Sequence, residues 1–90
     1  MSGIHSIADA FGDASGGLAA WRPEDPGDLV DSLDAVTDMI HDFAVGLARY
    51  ADHLGETGLH PGVTDMARAA AFAVARAESY AGEMRRIAGM

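Results

Sequence analysis

The side chains with the widest chemical use in this sequence are four histidines, at positions His5, His41, His53 and His60. Two of them, His53 and His60, flank a glycine-rich segment that also carries Asp52 and Glu56. Such groups can bind zinc, but a zinc site needs three or four ligands in tetrahedral geometry. No HxxxH, ExxH or CxxC spacing occurs in the chain. We therefore interpret the histidines as solvated, and we predict no metal and no cofactor.

A second cluster, Asp38, His41 and Asp42, has spacing that places all three side chains on one face of a helix. An Asp–His pair can transfer protons, but it needs a pocket and a nucleophile or substrate beside it. The chain also lacks a phosphate-binding glycine motif and a nucleophile-elbow serine. The sequence therefore favours a solvated polar face, with no catalytic residues and no enzymatic activity.

Length and composition indicate one small globular domain spanning residues 1–90, because 49% of the residues are hydrophobic and 22% are charged. Only 7% are aromatic, so much of the apolar content is alanine, which buries little area. A chain of this size has a marginal core even when it is well packed. The composition thus favours close helix packing, self-association or a partner. Without cysteine, disulfide bonds are excluded.

The formal net charge is −8, and all six positive charges are arginines, which suggests a high-GC genome. An acidic chain does not neutralise phosphates, so we expect no nucleic-acid partner and no binding to anionic membranes. The N-terminus has neither a basic region nor a long apolar run, and no apolar run reaches about 18 residues. We expect a cytoplasmic protein, with leaderless export left open.

Three helices are predicted, over residues 3–20, 26–55 and 61–88. The first is short, and its glycines lead us to expect fraying or a break near Gly16. Residues 21–28 contain two prolines and a glycine, which end the first helix. Asp25 is the predicted N-cap of the second helix, with Pro26 in its first turn. The segment 55–62 is the predicted turn before the third helix.

Helices two and three each carry an apolar stripe at heptad spacing, which is typical of helices that pair lengthwise. The stripe of helix two is Leu29, Leu33, Val36, Ile40, Phe43, Leu47, Tyr50 and Leu54. The stripe of helix three is Val63, Met66, Ala70, Ala73, Ala77, Tyr80, Met84 and Ile87. The pattern predicts an antiparallel helical hairpin. In it, the acidic start of helix two would lie beside Arg85 and Arg86.

The predicted fold class is all-α: a short N-terminal helix plus a long antiparallel hairpin that dimerises into a four-helix bundle. The bundle core or interface is predicted to contain ten residues: Leu29, Leu33, Val36, Ile40, Phe43, Leu47, Ala70, Ala73, Ala77 and Met84. Phe72 and Val45 fall outside the stripes. Either the N-terminal helix and Trp21 cover them, or they contact another subunit or protein. Trp21, Val45 and Phe72 are the candidate partner surface.

The segment "GGLAAWRPEDPGDL" (16–29) resembles the central turn of the WXG100 (ESAT-6-like) family. The resemblance is a Leu-Ala-Ala-Trp entry into a turn, in which Trp21 matches the family tryptophan, and a similar overall length. It differs at Pro23, where the family has glycine, and at Met84, where the family's C-terminal pattern has an acid. The resemblance implies a small helical hairpin that is exported, as a dimer and without a leader, through a type VII secretion system.

These observations lead to three hypotheses for function. The first is a non-enzymatic, self-associating helical module that binds itself, most simply as a homodimer, and possibly another protein. The second is a leaderless substrate of a type VII secretion system, as the resemblance implies. The third is a small acidic regulator that binds a protein partner through its acidic face. Self-association driven by apolar burial would be insensitive to salt, whereas the third hypothesis predicts salt-sensitive binding.

Overall fold

A computed structural model describes residues 3–58 and 60–90, and within those ranges the protein is all-α with no strand. The helices are α1 (Gly3–Ala20), α2 (Pro26–Thr57) and α3 (Pro61–Ala88). The all-α prediction is confirmed, and two long helices follow one short one as expected. Residue 59, which belongs to the predicted turn, lies outside the described residues.

Helix α1 is continuous through Gly16 and Gly17, so the expected break near Gly16 is wrong. The backbone N–H of Trp21 donates to the carbonyl oxygens of Gly17 and Leu18, at 3.0 and 3.2 Å. A glycine costs about 1 kcal/mol relative to alanine inside a helix. That cost is small enough for the uninterrupted hydrogen-bond ladder to continue to Ala20.

Helix α2 begins and ends on residues suited to those positions. The Asp25 carboxylate accepts a hydrogen bond from the backbone N–H of Asp28 at 2.8 Å, which confirms Asp25 as the N-cap. In return, the Asp28 carboxylate accepts one from the N–H of Glu24 at 3.2 Å. At the other end Gly58 adopts φ +66°, a left-handed conformation that glycine reaches without a steric penalty.

Helix α3 starts at Pro61, as predicted, and returns antiparallel to α2. The pairing is marked near its open end by an ion pair between Arg85 and Asp34, at 2.8 Å from Nε to Oδ1. Arg85 therefore lies beside the acidic start of α2, as the charge pattern predicts. Arg86 does not, because its guanidinium pairs with Glu83 of its own helix.

The seam between α2 and α3 is formed by small residues at the points of closest approach. Its buried members are Ala44 and Ala51 of α2 with Thr64, Ala71 and Ala81 of α3. Ala51 is 0% exposed and Ala81 is 1% exposed, whereas no large side chain is fully buried in the described part of the chain. Small side chains let the two backbones approach closely, but they remove little apolar area from water.

The register of this seam differs from the predicted one. On α3 the observed seam is shifted by one residue from every predicted stripe position, and it runs through Thr64, Ala67, Ala71, Val74, Glu78, Ala81, Arg85 and Ala88. On α2 the seam contains Leu33, Ile40, Leu47 and Leu54, as predicted. At the other four stripe positions, the residue that faces α3 is the next one along the chain: Val30, Thr37, Ala44 and Ala51. One residue rotates a helix by about 100°, so the bulky predicted residues turn away from the seam.

Consequently, none of the ten predicted bundle residues is fully buried within one chain. Leu33, Val36, Ile40, Leu47 and Ala77 are half-buried, while Leu29, Phe43, Ala70, Ala73 and Met84 are exposed. Their role as the interface of a two-chain bundle stays a prediction.

The displaced residues lie together on one side of the hairpin, which we call the front face. Its members are Leu29, Val36, Phe43 and Tyr50 of α2 with Val63, Met66, Ala70, Ala73, Ala77, Tyr80, Met84 and Ile87 of α3. They recur at intervals of three, four or seven residues, so each set occupies one side of its helix.

The three helices form a single layer. The principal-axis extents are 50 × 30 × 13 Å, and the smallest is close to the diameter of one helix, about 10–12 Å with side chains. Stable domains normally enclose a core between at least two layers. The described residues enclose no such core, and their apolar side chains are divided between the narrow seam and the open faces.

Helix α1 is held to this layer by side chains alone. Among the described helices, no Cα atom of α1 comes within 8 Å of a Cα atom of α2 or α3. The aromatic rings of Phe11 and Phe43 meet with their centroids 4.9 Å apart and their planes tilted by 38°. Such a pair contributes about 0.5–1.5 kcal/mol beyond its buried area.

Replacing a seam alanine tests the observed register. We expect Ala71→Leu to destabilise the protein by about 1–3 kcal/mol, because an added side chain has no room at a helix contact. Ala75→Leu, one turn along and exposed, is the matched control and should change stability little. Urea unfolding followed by circular dichroism measures both. A wild-type midpoint for Ala71→Leu would contradict the register.

Removing one ring tests how α1 is held. Phe11→Ala should weaken the packing of α1 against α2 by about 1 kcal/mol. The hairpin should stay helical. Trp21, which follows α1 and is already 44% exposed, would then lose its remaining shelter beside α2, so its fluorescence emission should move slightly to longer wavelength. Ile4→Ala, also exposed and on the same helix, is the control. An unchanged emission maximum in Phe11→Ala, with Ile4→Ala as reference, would show that α1 is anchored elsewhere.

Candidate functional site: two apolar faces

A large concavity lies on the front side, lined by residues of α1, α2 and α3. This front groove has a volume of about 620 Å³. Its apolar lining includes Phe11 and Leu18 from α1, Val36, Met39, Ile40 and Phe43 from α2, and Ala73 and Ala77 from α3. The groove therefore joins α1 to the front face in one apolar surface.

Large side chains continue the front face beyond the groove. Met66 and Tyr80 are 71% and 68% exposed, and Met84 and Ile87 are exposed as well. No position of the front face carries a charge, although the whole chain carries −8. Contiguous exposed apolar surface of this kind marks binding surfaces in soluble proteins.

The opposite side of the hairpin carries a smaller concavity, the back groove, of about 490 Å³. Its apolar part consists of Ala44, Val45, Ala48, Ala71, Phe72 and Ala75. Phe72 is 68% exposed and stands at the edge of this groove. Val45 and Phe72, two residues of the predicted partner surface, are thus brought together by the pairing of α2 with α3.

Two interhelical ion pairs bound the back groove. His41 Nδ1 lies 3.0 Å from Glu78 Oε1, and Arg68 lies 3.7 Å from Asp52. The Glu78 carboxylate raises the pKa of His41 above its ordinary value of 6.5, first by hydrogen bonding and then by its charge. The nearby carboxylates of Asp42 and Asp38 raise it further.

The proposed Asp38–His41–Asp42 cluster does not form a single site. His41 turns towards Glu78 at the back groove, whereas Asp42 borders the front groove. The imidazole and the Glu78 carboxylate can share a proton, but the surface next to them is made of alanine, valine and phenylalanine side chains. The arrangement is suited to fixing α2 against α3 and to binding an apolar group.

The turn between α2 and α3 contains a hollow of about 380 Å³ lined by Asp52, Glu56, Asp65 and Arg68. Neither His53 nor His60 lines it. Arg68 lies across Gly55, where an added Cβ would be 3.1 Å from its guanidinium. Among the described residues, no three histidine, aspartate or glutamate side chains are placed to hold a metal ion.

Trp21 lies apart from the other two candidate partner residues. It borders a further concavity of about 380 Å³ between α1 and α2, together with Leu18, Ala35 and Met39. The three predicted partner residues therefore belong to two different surfaces.

Sequence reasoning missed the pairing of His41 with Glu78 and the exposure of Tyr80 and Met84. The histidine and the glutamate are 37 residues apart, and only the register of α2 against α3 brings them together. The signal that could have revealed the register was side-chain size rather than polarity. Small side chains at heptad spacing mark where the two helices touch.

Comparison of the chain with protein-family models, with curated proteins and with solved structures gives no match. In the part of the chain that the structure describes, none of the helices is apolar over a length that could cross a membrane.

The His41–Glu78 pair predicts a pH dependence of stability. Because the pKa of His41 is raised in the folded protein, its contribution is fully present below 6.5 and is lost as pH rises through the folded value. Wild-type protein should therefore lose stability as pH rises above 6.5 and through the raised pKa of His41. In Glu78→Gln this loss should shrink, and the His41 pKa measured by NMR should fall. An unchanged His41 pKa in that variant would rule out the pairing.

Proposed function

We propose that the protein is a non-enzymatic, self-associating interaction module, in which two chains bury their front faces against each other as a homodimer. The two hairpins then form the four-helix bundle, and each single layer gains the second layer it needs to enclose a core. The single observation that carries this proposal is the uncharged front face on a chain that is one helix thick.

The exposed area supports the proposal quantitatively. The chain exposes 6641 Å², whereas a compact monomer of 9.3 kDa exposes about 5,000 Å² by the scaling for folded proteins. The excess is about 1,600 Å² per chain, and a stable homodimer buries about 1,000–2,500 Å² per chain. The surplus surface is thus the size of one obligate dimer interface.

Packing on the front face also suits a two-fold arrangement. The alanines Ala70, Ala73 and Ala77 form a shallow trough between the larger Met66 and Tyr80. In a symmetric dimer the same patch faces itself, so bulky residues of one chain can fill the trough of the other. Dispersion and apolar burial then hold the dimer, with no ion pair required on this surface.

A matched pair of substitutions tests the proposal. Tyr80 and Phe72 lie on the same helix and are both 68% exposed, but they stand on the front and back sides. Tyr80→Asp should weaken dimerisation by about 2 kcal/mol or more, since a charge cannot be buried there without a partner. Phe72→Asp adds the same charge and should leave the dimer intact. Sedimentation equilibrium measures both.

Two outcomes would overturn the front-face dimer. One is a wild-type chain that stays monomeric at every concentration measured. The other is dissociation by Phe72→Asp together with an intact Tyr80→Asp dimer, which would move the interface to the back. High salt should change the front-face dimer little, because the residues of the front face itself are uncharged.

A second proposal is the type VII secretion substrate that the WXG100 resemblance implies. It is supported by the position of Trp21, which directly follows the last residue of α1 at the connection to α2. A helical-hairpin dimer is compatible with either proposal. Immunoblotting of the culture medium separates them: secretion should require an intact type VII system, and an unchanged amount in medium from cells lacking that system would reject this role.

A further inference from the structure

Helix α1 carries an apolar stripe that a single chain leaves exposed to water. Its intervals of three, four and seven residues place the large members on one side of the helix, and these are Ile4, Ile7, Phe11 and Leu18. They are between 45% and 65% exposed, and no residue of α1 is buried. Asp9 and Asp13 fall on the opposite side. Helix α1 is therefore amphipathic, with its apolar side uncovered.

A helix of this composition depends on packing for its stability. It has 18 residues, a length at which an isolated helix is marginal in water, and Gly12, Gly16 and Gly17 weaken it further. Its Cα atoms stay more than 8 Å from those of the other two described helices. The Phe43 ring covers part of Phe11, which remains 53% exposed. The stripe therefore needs a second surface to cover it.

The stripe is continuous with the surface that the proposed dimer buries. Phe11 and Leu18 line the front groove together with Phe43 of α2 and Ala73 and Ala77 of α3. An interface formed by the hairpin alone would leave the stripe in water. The surplus exposed area of about 1,600 Å² per chain is large enough for an interface that includes α1 as well.

The contacts between helices set α1 level with the alanine trough of α3. Residue 11 lies beside residue 43, and residue 41 lies beside residue 78. Residues 18 and 21 lie near residues 31–39, so α1, like α3, runs antiparallel to α2. All three helices rise by the same 1.5 Å per residue. Ile7 and Phe11 are thus level with about residues 72 and 76 of α3, within the stretch from Ala70 to Ala77.

We propose that α1 of each chain packs its apolar stripe against the alanine trough of α3 in a second copy of the chain. This inference rests on the proposed front-face dimer. A two-fold axis parallel to the helices puts α1 of one chain opposite α3 of the other at the same level, so Ile7 and Phe11 lie over Ala73 and Ala77. Each chain then contributes three helices, and two α1 helices join the four helices of the hairpins.

Helix α3 of the second copy suits this stripe better than a second α1 does. Large side chains that face small ones fill space at the density of protein interiors. A two-fold axis across the helices would instead place α1 on α1, with large residues against large ones. Ile4, Ile7 and Phe11 are uncharged, and so are Ala70, Ala73 and Ala77, so their contact buries no unpaired charge.

Disulfide cross-linking tests this contact, because the chain contains no cysteine. Ile7→Cys and Ala73→Cys are made separately, one with a mass tag, and are mixed with oxidised glutathione. A disulfide between the two kinds of chain can form only between copies. We expect the mixed, tagged-plus-untagged product to predominate. Asp9→Cys, on the polar side of α1, is the matched control and should give little mixed product with Ala73→Cys.

Two cross-linking results would overturn the proposal. One is an equal yield of mixed product from Asp9→Cys and Ile7→Cys. The other is linkage of Ile7→Cys to itself in place of the mixed product, which would put α1 on α1.

Sedimentation equilibrium measures the contribution of the stripe to association. Ile7→Ser should weaken dimerisation about tenfold or more, because it removes a large side chain from the interface. Asp9→Ser, on the other side of the helix, should dimerise like wild-type protein. Unchanged dimerisation of Ile7→Ser beside dissociation of Tyr80→Asp would overturn this inference and retain the front-face dimer. A monomeric wild-type chain would overturn both.

Discussion

The close approach of α2 and α3 along an alanine seam is the constraint on which the rest of the structure depends. Ala44, Ala51, Ala71 and Ala81 occupy the contact points, and a larger side chain at any of them would force the helices apart. The seam fixes the register, and the register decides which residues face outwards. Because alanine buries so little area, the same choice leaves most of the large apolar side chains outside the hairpin.

Because the alanine seam buries so little area, the single layer of helices leaves most of its large apolar side chains uncovered. Helix α1 does not cover them, since its side chains border the front groove rather than filling it. Folding of the hairpin and association of two hairpins are therefore expected to be coupled, as in obligate dimers whose monomers have little independent stability. The ion pairs Asp34–Arg85 and Asp52–Arg68 are exposed, and such pairs contribute little, about 0–1 kcal/mol each. They are better suited to fixing orientation.

The sequence was sufficient to predict the three helices, the Asp25 cap and the antiparallel pairing, because these depend on local signals and on long apolar periodicity. It was not sufficient for the register. Alanine occupies so many positions of α3, including Ala70 and Ala71 side by side, that apolar periodicity fits two stripes one residue apart. Choosing between them requires side-chain volume on both helices at once. The His41–Glu78 pair depends on that register, so it was equally out of reach.

The distribution of charge bears on which face the proposed dimer would use. On a chain with a net charge of −8, self-repulsion disfavours association through any surface that carries acids. The proposed dimer therefore uses the front face, whose own positions are uncharged although Asp42 borders its groove.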